Sequence, residues 1–306
     1  MLKQVQHDGV GSFRTALTDT LEIAYHEHGD AAGAPLLMLH GFPYDPSAFD
    51  AIVPILAEDG FRVIIPYLRG YGPTRFRDPQ AFRGGEQAAI ADDIIQLMGA
   101  LHIDRALIFG FDWGGRAACI IGALWPDRVQ GLVVVGGYLI QNIAQATTPA
   151  PMPVEHMIWH QYFLASERGR NALIADRKAV ALHLRTQWSP KWPHHDDAIE
   201  RAAPAFDNPD FVDVVCNSYA HRIGAAAGEP RFAAMEEALS AGPDITVPTI
   251  LLRGGGGGLG GSASPKFTRL IDQRVAEGAG HNPAQESPAI TAAAIRDLWR
   301  ATIPAA

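Results

Sequence analysis

Short runs of consecutive apolar residues recur along this chain, separated by segments in which apolar residues return every three or four positions. Runs such as PLLMLHG, RVIIPYLRG and GLVVVGG have few polar positions, as strands buried on both faces require. Between them lie segments such as GEQAAIADDIIQLMGALHI, whose spacing predicts an amphipathic helix. This alternation predicts an α/β fold, with a mostly parallel sheet flanked by helices on both sides.

The alternation stops after Gly137 and resumes with the run ITVPTILLRG. Residues 138–242 lack buried strand patterns, are rich in Trp, Tyr, His, Arg and Pro, and contain long helical stretches. We therefore interpret 138–242 as a helical cap inserted into one core domain, which residues 1–137 and 243–306 form together. Two tandem domains would not explain why the strand pattern returns.

The composition fits a globular protein of this organisation. The 306 residues are enough for one large α/β domain with an insertion, and 47% of them are hydrophobic and 19% charged. The formal net charge is −8 and the positive residues are scattered, so we expect neither nucleic acid nor a membrane as partner. No signal-peptide or membrane-spanning pattern is visible, which predicts a cytoplasmic protein. We expect a monomer or a homodimer.

Cysteines and histidines give no sign of a disulfide or a metal site. Cys119 and Cys216 lie far apart in apolar surroundings, which favours buried free thiols over a disulfide. Twelve histidines raise the question of a metal, but the His194 and His195 pair lies in a polar, Trp- and Pro-rich stretch typical of an exposed loop. We expect no metal and no cofactor.

The segment LIFGFDWGGRAA, residues 107–118, contains an acid where a strand turns into a helix. In such a strand–turn–helix, small flanking residues allow close approach, and the central side chain projects at the carboxyl end of the strand. Here that side chain is Asp112. An ionised carboxylate can displace a leaving group from saturated carbon and form an ester, whereas serine must first lose a proton. A simple helix cap is the alternative interpretation of this aspartate.

Four motifs extend this interpretation along the chain. They are HGFP (40–43), RGYGPT (69–74), GFDWGG (110–115) and GAGHNPAQESP (278–288). In these motifs and their order the chain resembles the α/β-hydrolase superfamily, and within it the aspartate-nucleophile branch of epoxide hydrolases and haloalkane and haloacetate dehalogenases. The resemblance implies that His281 is the general base and that the backbone N–H groups of Phe42 and Trp113 form the oxyanion hole. An ordinary loop histidine is the alternative for His281.

The acid that orients the histidine in this family has no counterpart in the sequence. After the strand TVPTILLRG the acid would fall at Gly256 or Gly257, within the run RGGGGGLGG. The other slot used in the family reads VVVGGYL, which also lacks an acid. Without that acid, hydrolysis of the ester should slow more than its formation, because only hydrolysis uses the base. Glu277 and Glu286, near His281, are candidate replacements.

Residues of the cap and of the nucleophile helix bear on the substrate. By resemblance to epoxide hydrolases, Tyr162 in WHQYF and Tyr219 in NSYAHR would donate protons to the ring oxygen; aromatic packing is the alternative. Trp159 and Arg116 are further candidate substrate-binding residues, although Arg116 could also be a surface charge.

The sequence favours one of three functions. Against a haloalkane dehalogenase, Phe42 stands where that group has a halide-binding Asn; against a haloacetate dehalogenase, Trp113 replaces the first arginine of a pair. We therefore predict an epoxide hydrolase-like enzyme that acts on a small hydrophobic organic substrate, with a dehalogenase as the second hypothesis. A non-catalytic binding protein with this fold is the third hypothesis, because glycines stand where the family has the acid that orients its histidine.

Overall fold

The computed structural model describes residues 3–5, 12–256 and 265–303, which form ten strands and eleven α-helices. The strands are β1 (Lys3–Val5), β2 (Phe13–Leu17), β3 (Leu21–Gly29), β4 (Ala34–Leu39), β5 (Phe61–Pro66), β6 (Arg75–Phe76), β7 (Ala106–Gly110), β8 (Val129–Val135), β9 (Thr249–Gly254) and β10 (Leu270–Ala276). The helices are α1 (Val53–Glu58), α2 (Gln87–Ala100), α3 (Asp112–Leu124), α4 (Met152–Met157), α5 (Trp159–Ala165), α6 (Glu167–Trp188), α7 (His195–Ala202), α8 (Phe211–Arg222), α9 (Ala233–Ser240), α10 (Pro283–Glu286) and α11 (Pro288–Thr302).

All ten strands belong to one sheet, in the order β1-β2-β3-β5-β4-β7-β8-β9-β10, with the short β6 paired to β3. The pairs from β5 through β4, β7, β8 and β9 to β10 are parallel, whereas β1, β2, β3 and β6 pair antiparallel. The prediction of a mostly parallel α/β sheet is therefore confirmed. Carboxyl ends of the parallel strands meet at one edge, where such folds place their sites.

The central strands are buried on both faces, as their continuous apolar runs predicted. Alternate side chains of β4 enter two different clusters: Leu37 and Leu39 pack in the cluster that holds α2 and α3, and Leu36 and Met38 in the one that holds α1 and α11. Successive strand residues point to opposite faces, so helices on both sides have an apolar surface to cover. The sheet thereby becomes a rigid platform for the loops at its carboxyl edge.

Helices α4–α9 lie between β8 and β9, and no strand occurs in residues 136–248, all of which the structure describes. This is the segment interpreted as the cap from sequence, while the division at 138 and 242 stays a prediction. Cys119 and Cys216 are buried and unpaired, as expected. Among the helices of the described residues, none combines the length and the apolarity needed to cross a membrane.

Candidate active site

The turn between β7 and α3 holds Asp112 in a backbone conformation that side chains rarely adopt. Its φ is 52°, in the left-handed region, and strain of this kind is typical of functional positions. Strand and helix approach too closely here for side chains at the flanking glycines. A Cβ on Gly110 would lie 2.4 Å from the carbonyl oxygen of Gly114, and one on Gly114 would lie 2.1 Å from that of Leu39. The pattern Gly-x-Asp-x-Gly is thus a steric requirement of the turn.

The carboxylate of Asp112 has a neighbour at each oxygen, but only one of the two contacts is a hydrogen bond. Oδ1 accepts the backbone N–H of Phe42 at 2.8 Å, and Oδ2 lies 3.6 Å from Nε2 of His281. Burial alone would raise the pKa of Asp112, but the neighbouring His281, Arg222 and the Phe42 N–H lower it to about 2. The carboxylate is therefore ionised at neutral pH.

The second predicted oxyanion-hole donor, the N–H of Trp113, lies in the first turn of α3, where N–H groups have no acceptor within the helix.

His281 follows β10 on a loop that is fixed through its backbone. Its N–H donates to Oγ of Ser189 at 2.9 Å. The carboxylate of Glu286 accepts the N–H of Gly280 at 2.6 Å, the N–H of Asn282 at 2.9 Å and the hydroxyl of Ser189 at 2.7 Å. Glu286, one of the two candidate replacement acids, thus holds the backbone on both sides of the histidine and does not bind the imidazole.

The imidazole of His281 is positioned by ring contacts. Its centroid lies 4.8 Å from that of Trp188 and 6.0 Å from that of Tyr44. Within the described ranges, Asp112 is the one carboxylate within ion-pair distance of this imidazole. The other candidate acid, Glu277, lies beside Gly255, where a Cβ would be 2.7 Å from its Oε2. The described residues therefore supply no orienting acid.

The family acid was expected at Gly256 or Gly257, and the structure describes only the first of these two positions. At Gly256, a Cβ would lie 2.9 Å from the carbonyl oxygen of Ala279 and 3.0 Å from that of Gly278. Backbone occupies the space that a side chain would need there. Gly257 lies outside the described residues, so its place as the acid slot stays a prediction.

Of the two candidate cap tyrosines, only Tyr219 packs against residues beside the nucleophile, although it is not among the residues that line the cavity next to Asp112. Its ring is fully buried, 5.5 Å from that of Phe42 and 5.9 Å from that of Trp113. Its hydroxyl and the indole N–H of Trp113 have no hydrogen-bond partner in the described structure, and burial raises the pKa of this tyrosine. Tyr219 is therefore a buried, protonated group with an unused donor.

The expectation for Tyr162 was wrong. Its side chain is 45% exposed, and its hydroxyl donates to Glu155 on the outer surface. The reason is helical geometry: His160 and Leu164, four positions apart, form the buried face of α5, and a residue two positions after His160 points away from it.

A cavity of about 90 Å³ opens beside Asp112 and His281. Its lining consists of Asp112, Arg116, Val135, Gly136, Leu139, His160, Gln161, Trp188, Arg222, Arg253, Gly254, Gly280 and His281. Trp159, predicted to bind substrate, is absent from this lining, since its ring packs at 5.8 Å against Phe163. The next residue, His160, lines the cavity instead of Trp159. Burial lowers the pKa of the His160 imidazole to about 4. A neutral histidine therefore faces the nucleophile from the inserted helices.

Two arginines contribute to the cavity, one predicted and one not. Arg116, one turn after Asp112 on α3, lines the cavity as expected for a substrate-binding residue. Arg222 was not predicted; its Cζ lies 5.7 Å from the ring centroid of Trp113 and 5.2 Å from that of Tyr219. Arg222 follows Tyr219 by three positions in NSYAHR, so the two share one face of α8. This three-residue spacing from a candidate cap tyrosine is the pattern by which the sequence could have identified Arg222 as a residue of the site.

A second cluster of titratable side chains lies apart from the cavity lining. Glu86, His221 and Glu236 place their ligand atoms within 4.8 Å of one another, and Nε2 of His221 is 3.6 Å from Oε2 of Glu86. Burial raises the pKa of Glu86 to about 7. These three residues are the group in the described part of the chain whose spacing and atom types could hold a cation.

Comparisons with known proteins agree with this architecture. A family model described as alpha/beta hydrolase fold matches residues 34–284. The chain is 27% identical over 277 residues to a protein named soluble epoxide hydrolase from Corynebacterium sp. (strain C12), covering 86% of this chain and 90% of that protein. It is 28% identical over 208 residues to a haloalkane dehalogenase from Mycobacterium marinum (strain ATCC BAA-535 / M), covering 65% of each.

Among solved structures, the chain resembles a "putative epoxide hydrolase" from Klebsiella pneumoniae subsp. pneumoniae MGH 78578. The two share 39% sequence identity with a TM-score of 0.89, over 94% of this chain and 97% of that one. A "putative epoxide hydrolase" from Pseudomonas aeruginosa, at 22% identity and a TM-score of 0.76, shares the fold over 97% of this chain and 98% of its own.

Proposed function

Because this chain belongs to the α/β-hydrolase fold family, we propose that it is an epoxide hydrolase-like enzyme that works through an ester on Asp112. The observation that carries the proposal is the ionised carboxylate on a strained turn, with the Phe42 N–H on one oxygen and His281 beside the other. A partly buried carboxylate that is ionised and held this way is a competent nucleophile, because it needs no base to activate it.

In the first step, a carboxylate oxygen of Asp112 attacks one carbon of the epoxide, and the bond between that carbon and the ring oxygen breaks. The electron pair stays on the ring oxygen, which takes a proton from the hydroxyl of Tyr219. This hydroxyl is suited to the role, since it is buried near the nucleophile and has no other acceptor among the described residues. The product of the step is a hydroxyalkyl ester of Asp112 and a tyrosinate.

In the second step, Nε2 of His281 takes a proton from water, and the resulting hydroxide attacks the carbonyl carbon of the ester. The N–H groups of Phe42 and Trp113 hold the negative oxygen that forms. When the ester bond breaks, the protonated histidine gives its proton to the departing alkoxide. The proton of the regenerated Asp112 carboxyl returns to Tyr219. Epoxide and water have then become a diol, and every protein group is restored.

The second step is the weaker one in this chain. In the described residues no acid contacts the imidazole of His281 except the nucleophile itself. An imidazole without an orienting carboxylate loses catalytic power by several orders of magnitude in comparable triads. We therefore expect the ester to form faster than it is hydrolysed, so that alkylated enzyme accumulates.

A second candidate, a dehalogenase, rests on a separate observation. The indole N–H of Trp113 and the hydroxyl of Tyr219 are neighbouring buried donors without a partner in the described structure. Two such donors could hold a departing halide as well as an epoxide oxygen. The nucleophile and the ester chemistry are the same for both leaving groups.

Intact-mass spectrometry after mixing with glycidol tests the proposal. We expect the mass to increase by one glycidol, with the label on Asp112 after digestion and no label on the Asp112→Asn variant. An alkyl bromide of similar size provides the dehalogenase arm, in which bromide is released. A protein that stays unmodified by both reagents, yet still binds them, would be a non-catalytic binding protein, and the proposal would be wrong.

A further inference from the structure

Glu86, His221 and Glu236 come together from three separate elements of the fold. Glu86 directly precedes α2, His221 lies in the last turn of α8, and Glu236 lies in α9. Glu86 and His221 are 1% and 4% exposed, and Glu236 is partly buried. The three positions are too far apart in the chain to form a spacing motif, which is why the sequence suggested no metal.

The two carboxylates of this cluster have no cationic side chain to neutralise them. Among the described residues, no Lys or Arg nitrogen lies within 4 Å of Glu86 or Glu236, and the ion-pair partner of Glu86 is the imidazole of His221. Oε2 of Glu86 and Nδ1 of His221 are buried, and neither has a hydrogen-bond partner in that part of the chain. Because buried carboxylates are costly when they lack a positive partner, the cluster is incomplete without a cation.

The separation of the facing atoms matches two ligands of one tetrahedral metal ion. Nε2 of His221 lies 3.6 Å from Oε2 of Glu86. Zinc binds nitrogen and oxygen at about 2.0–2.2 Å, so two of its ligands lie about 3.4 Å apart. The ligand atoms of all three residues lie within 4.8 Å of one another. Side-chain adjustments of at most about 1.5 Å would therefore bring them to bonding distance of one ion.

The loop between α8 and α9 leaves room for these atoms at Gly228. A Cβ on Gly228 would lie 2.3 Å from Oε2 of Glu86 and 2.8 Å from Nε2 of His221. The two atoms can converge because this position has no side chain.

Hydrogen bonds orient both carboxylates. The backbone N–H of Glu229 donates to Oε1 of Glu86 at 2.8 Å, and Nε2 of Gln87 donates to Oε2 of Glu236 at 2.8 Å. Ligating carboxylates in metal sites are commonly held by such outer hydrogen bonds. A carboxylate oxygen that accepts one hydrogen bond keeps a second lone pair for a metal.

We propose that Glu86, His221 and Glu236 bind one divalent cation of the kind that accepts both nitrogen and oxygen ligands, represented by Zn²⁺. One imidazole and two carboxylates suit this ion, whereas Mg²⁺ and Ca²⁺ prefer oxygen ligands alone. The ion would join α8 and α9, which belong to the inserted helices, to the start of α2. It would also support the cavity wall, since Arg222 follows His221 and lines the cavity.

Zinc chloride added to chelator-treated protein tests the site. Isothermal titration calorimetry should show one equivalent of Zn²⁺ bound with a Kd of about 1 µM or lower. At about 100 times that Kd, the midpoint of thermal unfolding should rise by about 4 °C. Magnesium chloride and calcium chloride at the same concentration should leave the midpoint unchanged.

Variants assign the bound ion to the three residues. Glu86→Gln, His221→Gln and Glu236→Gln should each weaken zinc binding by more than about tenfold, the least that loss of an outer partner of a metal site costs. Glu237→Gln removes the same charge from the next, exposed position of α9 and should keep the affinity. Thermal unfolding without zinc checks that each variant is folded, and three ligand variants keep the test open if one is not.

Three results would overturn the proposal. One is zinc binding that survives all three ligand substitutions, and another is the absence of any shift with zinc at 100 µM, about 100 times the expected Kd. The third is equal stabilisation by magnesium or calcium, which would show that His221 is no ligand. If His281→Gln abolishes zinc binding, the ion binds beside the nucleophile and the proposal is again wrong. None of these measurements uses the ester on Asp112, so the proposed function stands or fails separately.

Discussion

The hydroxyl of Ser189 accepts the backbone N–H of His281 at 2.9 Å and donates to Glu286 at 2.7 Å. Ser189 directly follows α6, so a residue of the inserted helices fixes the loop that carries the proposed base. The inserted helices therefore do more than cover the cavity, because the backbone position of His281 depends on them.

Ser189→Ala should slow hydrolysis of the Asp112 ester by about five- to tenfold, the value of one hydrogen bond of this type. Ester formation should change by less than about twofold, because it does not use the histidine. Single-turnover kinetics with glycidol resolves the two steps. Ser240→Ala, at an exposed hydroxyl at the end of α9, is the control. Equal slowing of both steps would show that the substitution disturbs the whole site.

Tyr219→Phe should slow ester formation with an epoxide by about 10²-fold, the lower range for loss of a general acid. Tyr162→Phe removes the same hydroxyl from the outer surface of the cap and should leave the rate unchanged. The rate of ester formation, followed by intact mass for both variants, tests this prediction. If the two variants react alike, Tyr219 is a packing residue and the ring oxygen is protonated by another group.

An acid restored to the glycine run should rescue the second step. Gly257→Asp places a carboxylate where the family resemblance puts one, and we expect faster decay of the ester with an unchanged rate of formation. Gly257→Asn adds the same bulk without the charge and should not rescue. Gly256→Asp should instead lower stability, because its Cβ would press on the backbone carbonyl of Ala279. Unchanged decay in Gly257→Asp would remove that position as the acid slot.

The low pKa of Asp112 predicts the pH dependence of both activity and stability. With a pKa of about 2 against 3.8 for an ordinary aspartate, the carboxylate stays ionised, so protonation of Asp112 should not slow ester formation above pH 4. A depressed carboxyl pKa stabilises the folded state above pH 3.8, and this contribution is lost as the pH falls towards 2.

Unfolding of the unaltered protein and of Asp112→Asn, compared between pH 4 and pH 2, measures that contribution. The unaltered protein should lose at most about 2 kcal/mol relative to the variant over this range. A rate of ester formation that falls with a midpoint near pH 5 would contradict the low pKa.

The sequence by itself determined the sheet and the nucleophile turn. Buried parallel strands can be recognised in a sequence as continuous apolar runs, because both of their faces are covered. The pattern of the turn at Asp112 is equally local, because Gly110 and Gly114 lie two positions before and two positions after the aspartate. A Cβ on Gly110 would meet the backbone of the turn itself, whereas one on Gly114 would meet Leu39 of the neighbouring strand β4. Local patterns of this kind can be recognised before any tertiary contact is known.

Only the tertiary structure decided which cap residues reach the cavity. α5 presents His160 and not Tyr162 to the core, and α8 brings Arg222 to the cavity that Arg116 also lines. At the base of the same insertion, the hydroxyl of Tyr138 donates to the carbonyl oxygen of Pro243, which lies 105 positions later in the chain. Helices α6 and α8 have weak apolar patterns, so the sequence did not show which of their faces packs against the core. Contacts such as Ser189 to His281, 92 positions apart, form only when that packing is complete.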